Sequence, residues 1–148
     1  MSTRRRAREI ALQVLYQLDL DPADPKKVLA LHWENFQPSE QAREFCARLV
    51  DGVLQNGKEI DRLIEEHSEN WTLKRMAVVD RNILRLAAFE LRYCPDIPFK
   101  ATLNEAVELA KKFGSDDSGA FINGILDRIH TLLNQTLNDD PNIPWDKT

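Results

Sequence analysis

The chain has 148 residues, 43% of them hydrophobic and 30% charged, a balance that supports one domain with a substantial core. It argues against a collagenous, low-complexity or wholly disordered chain, and no apolar run reaches the roughly eighteen residues that a membrane helix needs. The formal net charge of -4 taken alone speaks mildly against a nucleic-acid partner, but Arg4, Arg5, Arg6 and Arg8 crowd the start while Asp139, Asp140 and Asp146 make the end acidic, and local potential outweighs the sum.

In chain order, Ala7, Ile10, Ala11, Val14, Leu15 and Leu18 recur at three- and four-residue intervals and predict an N-terminal amphipathic helix. Arg4 and Arg8 are four apart, so both guanidiniums can point the same way. The stretch from Gln17 to Pro25 reads as a turn, with Asp24 and Pro25 as a helix start, because proline lacks the amide hydrogen that a first turn leaves unpaired. A short helix carrying Val28, Leu29, Leu31 and Trp33 follows. Pro38 and Ser39 restart the chain before Ala42, Phe45, Cys46, Leu49, Val50, Val53 and Leu54. Gly52 inside that pattern costs about 1 kcal/mol relative to alanine and points to a close neighbouring helix. Asn56 and Gly57 either interrupt or end the pattern, and Ile60, Leu63 and Ile64 continue an apolar stripe, so one helix or two remain open.

The segment AVVDRNILRLAAFELRY has Val79, Ile83, Leu86 and Ala87 on one side, with Leu84, Ala88 and Leu91 widening the arc, which suits the most enclosed helix of a bundle. Pro95 and Pro98 end it. Thr102 and Glu105 have capping-box spacing and predict the next helix start; Leu103, Ala106, Val107, Ala110 and Phe113 give its buried face and Gly114 its end. A last helix carries Ile122, Ile125, Leu126, Ile129 and Leu133. The fold class is therefore all-α, with about seven helices over residues 1–134 and an acidic, loose tail over 135–148, where Trp145 is available to fold back.

No catalytic constellation emerges. His32, His67 and His130 lack metal-ligand spacing, so no metal or cofactor is expected. Cys46 and Cys94 have no CxxC partner and read as buried thiols of a reducing compartment, with Cys46 at core spacing beside Leu49 and Val50 rather than as a nucleophile. The apolar positions after MSTRRRAREI are broken by Gln13, Tyr16 and Gln17, unlike a signal peptide, and the expected location is the cytoplasm. Asp80, Glu90, Glu105 and Glu108 form no acid and base pair by spacing; Glu108 has Lys112 four residues on. Gly114, Gly119 and Gly124 match no phosphate-cradling motif.

The arginine segment is the sharper signal. Its planar forks suit phosphates, although charge alone does not choose RNA over DNA, and solubility or pairing with surface carboxylates explains the same residues. Tyr16 is either a core-edge residue or a partner contact. Phe121, beside Asp117 and Ser118, is either packing in a first helical turn or a ring on which an unpaired base stacks.

Together RRRAREIALQVLYQ, DRNILRLAAFEL and ATLNEAVELAKKFGSDDSGAFINGILDRI resemble, in order, the NusB family of bacterial transcription antitermination factors, across residues 4 to about 130. The resemblance implies two small helical bundles in one compact domain, no enzymatic activity, and binding of boxA RNA together with NusE, a protein of the small ribosomal subunit, within an RNA polymerase complex that suppresses premature termination, notably on ribosomal RNA operons. By this resemblance Arg4, Arg5, Arg6, Arg8, Asp117, Ser118 and Phe121 lie on the RNA side, and Tyr16 and Asp80 face NusE. Some relatives form homodimers. Two other readings stand beside it: an RNA-guiding module like those of RNA methyltransferases, though the chain lacks their cofactor-binding domain, and an adaptor that binds proteins alone.

Overall fold

The structure, a computed structural model, describes residues 2–69 and 71–139. Among these residues are seven α-helices and no strand: α1 (Thr3–Leu20), α2 (Pro25–Phe36), α3 (Glu40–Gln55), α4 (Gly57–Glu66), α5 (Val78–Tyr93), α6 (Phe99–Phe113) and α7 (Ser118–Asp139), with a single 3-10 turn at Leu73–Arg75. Of the loose tail expected over 135–148, residues 135–139 instead continue α7 to Asp139, and residues 140–148, including Trp145, lie outside the described residues.

Local chemistry accounts for the helix starts. The side chains of Ser2, Asp24 and Ser39 accept hydrogen bonds from the amides of Arg5, Lys26 and Ala42, and so satisfy donors that a first turn leaves orphaned. At Asn56 the chain breaks into two helices, because the Asn56 side chain donates to the Gly52 carbonyl at 2.8 Å and takes up an acceptor at the end of α3. The expected turn at Gln17 comes later than spacing suggests. Asp19 is held by Arg81, Arg85 and Asn82 of α5 at 2.7 to 3.0 Å, and α1 stays helical to Leu20.

The α1–α3 group and the α4–α7 group meet at α5, which touches α1, α3, α4, α6 and α7. Accordingly Ile83, Leu84, Leu86, Ala87, Ala88 and Leu91 are all buried. The close approach expected at Gly52 is to Phe89: a Cβ there would sit 2.2 Å from Cε1 and Cζ of the ring. Antiparallel packing of α1 and α5 places Arg8 beside Glu90 near one end and Asp19 beside Arg81 near the other.

Two local expectations fail for tertiary reasons. Thr102 and Glu105 form no capping box, because α6 starts at Phe99, directly after Pro98. Thr102 lies inside the helix and donates its hydroxyl to Glu90 at 2.9 Å, while Glu105 accepts both Arg5 contacts at 3.0 Å. Nor does Lys112 pair with Glu108; it reaches Glu9 across the α1–α6 seam at 2.9 Å, and Glu108 faces Lys111 at 3.5 Å.

Candidate nucleic-acid and partner interface

The first turns of α1 carry the arginine segment, and the helix period separates its members. Arg4 is half exposed, 3.6 Å from Asp96 and 5.1 Å from the Phe45 ring centroid. Arg5, also half exposed, is clasped by Glu105. Arg6 is partly exposed with its guanidinium 4.8 Å from the Phe36 centroid. Arg48 of α3 joins this end by a fork on Asp96 at 2.8 and 3.1 Å. That fork, helped by Arg4, holds the Asp96 carboxyl down at about 2 against the cost of its partial burial.

Arg8 departs from the expected set. Only 5% exposed, it makes two 2.8 Å bonds to Glu90, whose carboxylate also takes the Thr102 hydroxyl. This guanidinium is a structural part of the α1–α5–α6 junction and is not presented to solvent. The signal was in the sequence: Arg8 is three residues before Ala11, four before Leu12 and seven before Leu15, on the buried stripe.

Asp117, Ser118 and Phe121 lie at the turn from α6 into α7. Asp117 is exposed, and Phe121 is half-buried with its amide on the Asp117 carbonyl at 3.2 Å. Ser118 is 2% exposed, and its hydroxyl oxygen accepts the Ser115 amide at 3.0 Å, so its side chain shapes the turn from within. Gly114 is required there, since a Cβ would lie 2.6 Å from the Ser118 hydroxyl. The arginines and this turn are not adjacent. Arg5 is beside Glu105, and the nine residues of α6 from there to Gly114 extend about 14 Å. Phe121 meets the half-exposed Trp71 edge to face, with centroids 6.0 Å apart, a contact that sequence spacing gives no means of finding.

Tyr16 is 38% exposed and lines an apolar groove of about 660 Å³ with Leu12, Leu20, His32, Val79 and Phe113. Asp80 follows Val79 in the first turn of α5, where the helix dipole favours a carboxylate. Its Oδ1 is buried without a hydrogen-bond partner among the described residues. Tyr16 thus shares the groove with Val79, whereas Asp80, the next residue, does not line it. His32, which sequence reasoning left unassigned, borders it as well, with Nδ1 buried and unpartnered, Nε2 3.3 Å from the Gln17 side chain, and a pKa lowered by burial.

Cys46 is fully buried, and burial, with the charge of Asp51, pushes its thiol up to about 12. A nucleophilic thiolate at neutral pH is not available there. No helix among the described residues is long and apolar enough to cross a membrane.

A family model described as the NusB family matches residues 5–131. The chain is 55% identical over 141 residues to the transcription antitermination protein NusB of Geotalea uraniireducens (strain Rf4), covering 90% of this chain and 97% of the relative. It is 51% identical over 133 residues to the protein of the same name from Desulfatibacillum aliphaticivorans, covering 90% and 93%. Among solved structures, T. maritima NusB superposes with a TM-score of 0.81 at 40% identity, covering 86% of this chain and 90% of that one. A chain from a crystal structure of the antitermination factors NusB and NusE in complex with dsRNA superposes with a TM-score of 0.82 at 32% identity, covering 89% and 98%.

Proposed function

The chain belongs to the NusB family, and from that premise we propose that it is a transcription antitermination factor that binds boxA RNA together with NusE and carries both to RNA polymerase, suppressing premature termination, notably on ribosomal RNA operons. The observation that carries the reading is the split of the arginine segment: Arg4, Arg5 and Arg6 stand at the open end of α1 while Arg8 is spent inside. Arg4 and Arg5 rest on Asp96 and Glu105. Exposed ion pairs of that kind are worth about 0–1 kcal/mol, so a phosphate oxygen displaces them at low cost. Phe36 and Phe45 back the guanidiniums and limit the side-chain entropy lost on binding.

The groove at Tyr16 supplies the second contact. A partner that fills it with an apolar side chain would cover the tyrosine, and the solved complex in which a relative of this chain is paired with NusE supports NusE as a partner. RNA held by both proteins has its ordering cost met by two sets of contacts. The role involves no chemical step, so no catalytic group is required.

The test is a titration of boxA RNA and a shuffled RNA, each with and without NusE, over a salt series. Tighter binding of boxA with NusE present is expected, with a log–log salt slope near 2 for three neutralised phosphates at about 0.7 each on a single strand. Equal binding of both RNAs under every condition would reject the reading.

A further inference from the structure

We propose that Arg48 of α3 is a further phosphate contact for the RNA, and that Asp96 holds the place of that phosphate in the free protein and so keeps RNA affinity down. The inference rests on the RNA-binding reading above. Asp96 stands in the turn between α5 and α6. Arg48 grips it with Nη1 and Nη2 on its two carboxylate oxygens at 3.1 and 2.8 Å, and Arg4 comes within 3.6 Å of the same carboxylate. A planar fork that takes two carboxylate oxygens is also suited to two phosphate oxygens. Asp96 therefore occupies donors that fit a phosphate.

Three parts of the chain build the place. Thr3 and Arg4 of α1 and Gln41, Glu44, Phe45 and Arg48 of α3 line one cleft of about 390 Å³. The Arg4 guanidinium lies 5.1 Å from the Phe45 ring centroid, which restrains it, and Thr3 and Gln41 add uncharged hydrogen-bonding groups at exposed positions. Arg4, Arg48 and Asp96 are each about half exposed, so a strand can reach them from solvent. Arg4 belongs both to the arginine end of α1 and to this cleft, which thus continues the basic surface onto α3. On the other side, Pro95 and Pro98 flank Asp96, and the Ile97 amide donates to the Cys94 carbonyl at 3.1 Å. The backbone of that turn is fixed, and the carboxylate has only its own side-chain bonds about which to turn.

Charge decides what Asp96 does there. Arg4 and Arg48 are matched by Asp96 and Glu44, so no net positive field draws a phosphate into the free cleft. The Asp96 carboxyl, held at about 2, stays ionised throughout the neutral range, and the match does not lapse with pH there. A phosphate must displace it from both guanidiniums. For exposed pairs that costs little, and it is offset when neighbouring phosphates of the same strand already rest on Arg5 and Arg6. A lone anion brings no such neighbours. The half-exposed carboxylate can swing out to water without moving the turn, and the vacated fork then closes on the strand.

The test measures affinity for single-stranded boxA RNA and a shuffled RNA, with NusE present, over a salt series. The proteins are the unaltered chain, Arg48→Ala, Asp96→Asn, the two changes combined, and Arg6→Ala, each checked for helicity by circular dichroism. Arg48→Ala is expected to weaken binding roughly three- to ten-fold at low salt, the range of one charge-assisted contact, and to lower the log–log salt slope by about 0.7. Asp96→Asn is expected to tighten binding roughly two- to five-fold, by the same factor for both RNAs, because a phosphate contact carries no sequence information. In the combined variant most of that gain is expected to vanish, a coupling that a purely structural ion pair would not produce. Unchanged or weaker binding by Asp96→Asn would overturn the place-holding role. If Arg6→Ala weakens binding and Arg48→Ala does not, the phosphate contact is refuted while the RNA reading stands. If Arg48→Ala lowers affinity for NusE in the absence of RNA, the fork is a protein contact and the proposal is overturned. If the unaltered protein binds neither RNA, both readings fall.

Discussion

Removing the Arg8 guanidinium would take both 2.8 Å hydrogen bonds from the Glu90 carboxylate, which is 2% exposed. Breaking a buried ion pair from one side is far more costly than losing a surface contact, so Arg8→Ala is expected to destabilise the fold by about 3–5 kcal/mol, read as a lower midpoint in urea. Arg6, two residues away, faces the opposite situation. Its guanidinium rests on the Phe36 ring at the protein surface, and Arg6→Ala is expected to change stability by less than about 1 kcal/mol while weakening boxA binding several-fold at low salt. Equal stability losses in the two variants would contradict the burial argument. An RNA deficit in Arg8→Ala would then have to be measured on the folded fraction.

The contact of α3 with α5 turns on one missing methyl group. Alanine at position 52 would gain about 1 kcal/mol of helix propensity, but its Cβ would lie 2.2 Å from the Phe89 ring, and the ring is buried, so it has little room to retreat. Gly52→Ala is therefore expected to destabilise by about 1–3 kcal/mol, visible in thermal unfolding. A stabilised variant would show that the two helices separate easily. The link from α3 and α1 to the loop after α5 is electrostatic instead. Asp96 is held at about 2 against an ordinary 3.8, chiefly by its Arg48 hydrogen bonds. A depressed carboxylate contributes stability above its unfolded value and loses it as pH falls from about 4 toward 2. The pair is half exposed, so its share is small. Asp96→Asn is expected to flatten stability against pH across that interval, and an unchanged acid profile would assign the acid sensitivity elsewhere, with Asp19 the next candidate. Burial opposes ionisation of Asp19, yet hydrogen bonds from Arg81 and Asn82 and the charge of Arg85 hold its carboxyl below the usual range.

Across the whole molecule, the arginine end of α1 and the Tyr16 groove share one helix, so a partner in the groove and a strand at the arginines are carried by the same rigid body. Coupling between them is reciprocal: whatever factor NusE adds to RNA affinity, RNA adds to NusE affinity. Tyr16→Asp inserts a charge into an apolar groove and removes aromatic area from it. It is expected to weaken NusE association by roughly ten- to thirty-fold, the range of an interfacial tyrosine anchor, while RNA binding in the absence of NusE stays unchanged. Calorimetry with each ligand alone and with both separates the two effects, and loss of RNA binding without NusE would mean that the groove and the strand path are not distinct.

The helices, their starts at Ser39 and Asp24–Pro25, the enclosed character of α5 and the tight approach at Gly52 were all readable from the chain, because amide capping and amphipathic period depend on residues within a turn or two of one another. The fate of each charge was not. Arg8 meets Glu90 across 82 positions, Arg5 meets Glu105 across 100 and Lys112 meets Glu9 across 103; the capping box and the Glu108–Lys112 pair were plausible by spacing and lost to these distant partners. Tyr16 and Asp80 drew notice through family resemblance, yet only packing set Tyr16 in a groove with Val79 and Phe113, and only packing brought Trp71 to Phe121. Sequence thus determines which segments are helical and which faces are apolar, since those are local free energies. Which polar groups are left facing solvent is decided when the helices meet, since a charge takes whichever partner the packed neighbours place within hydrogen-bond reach.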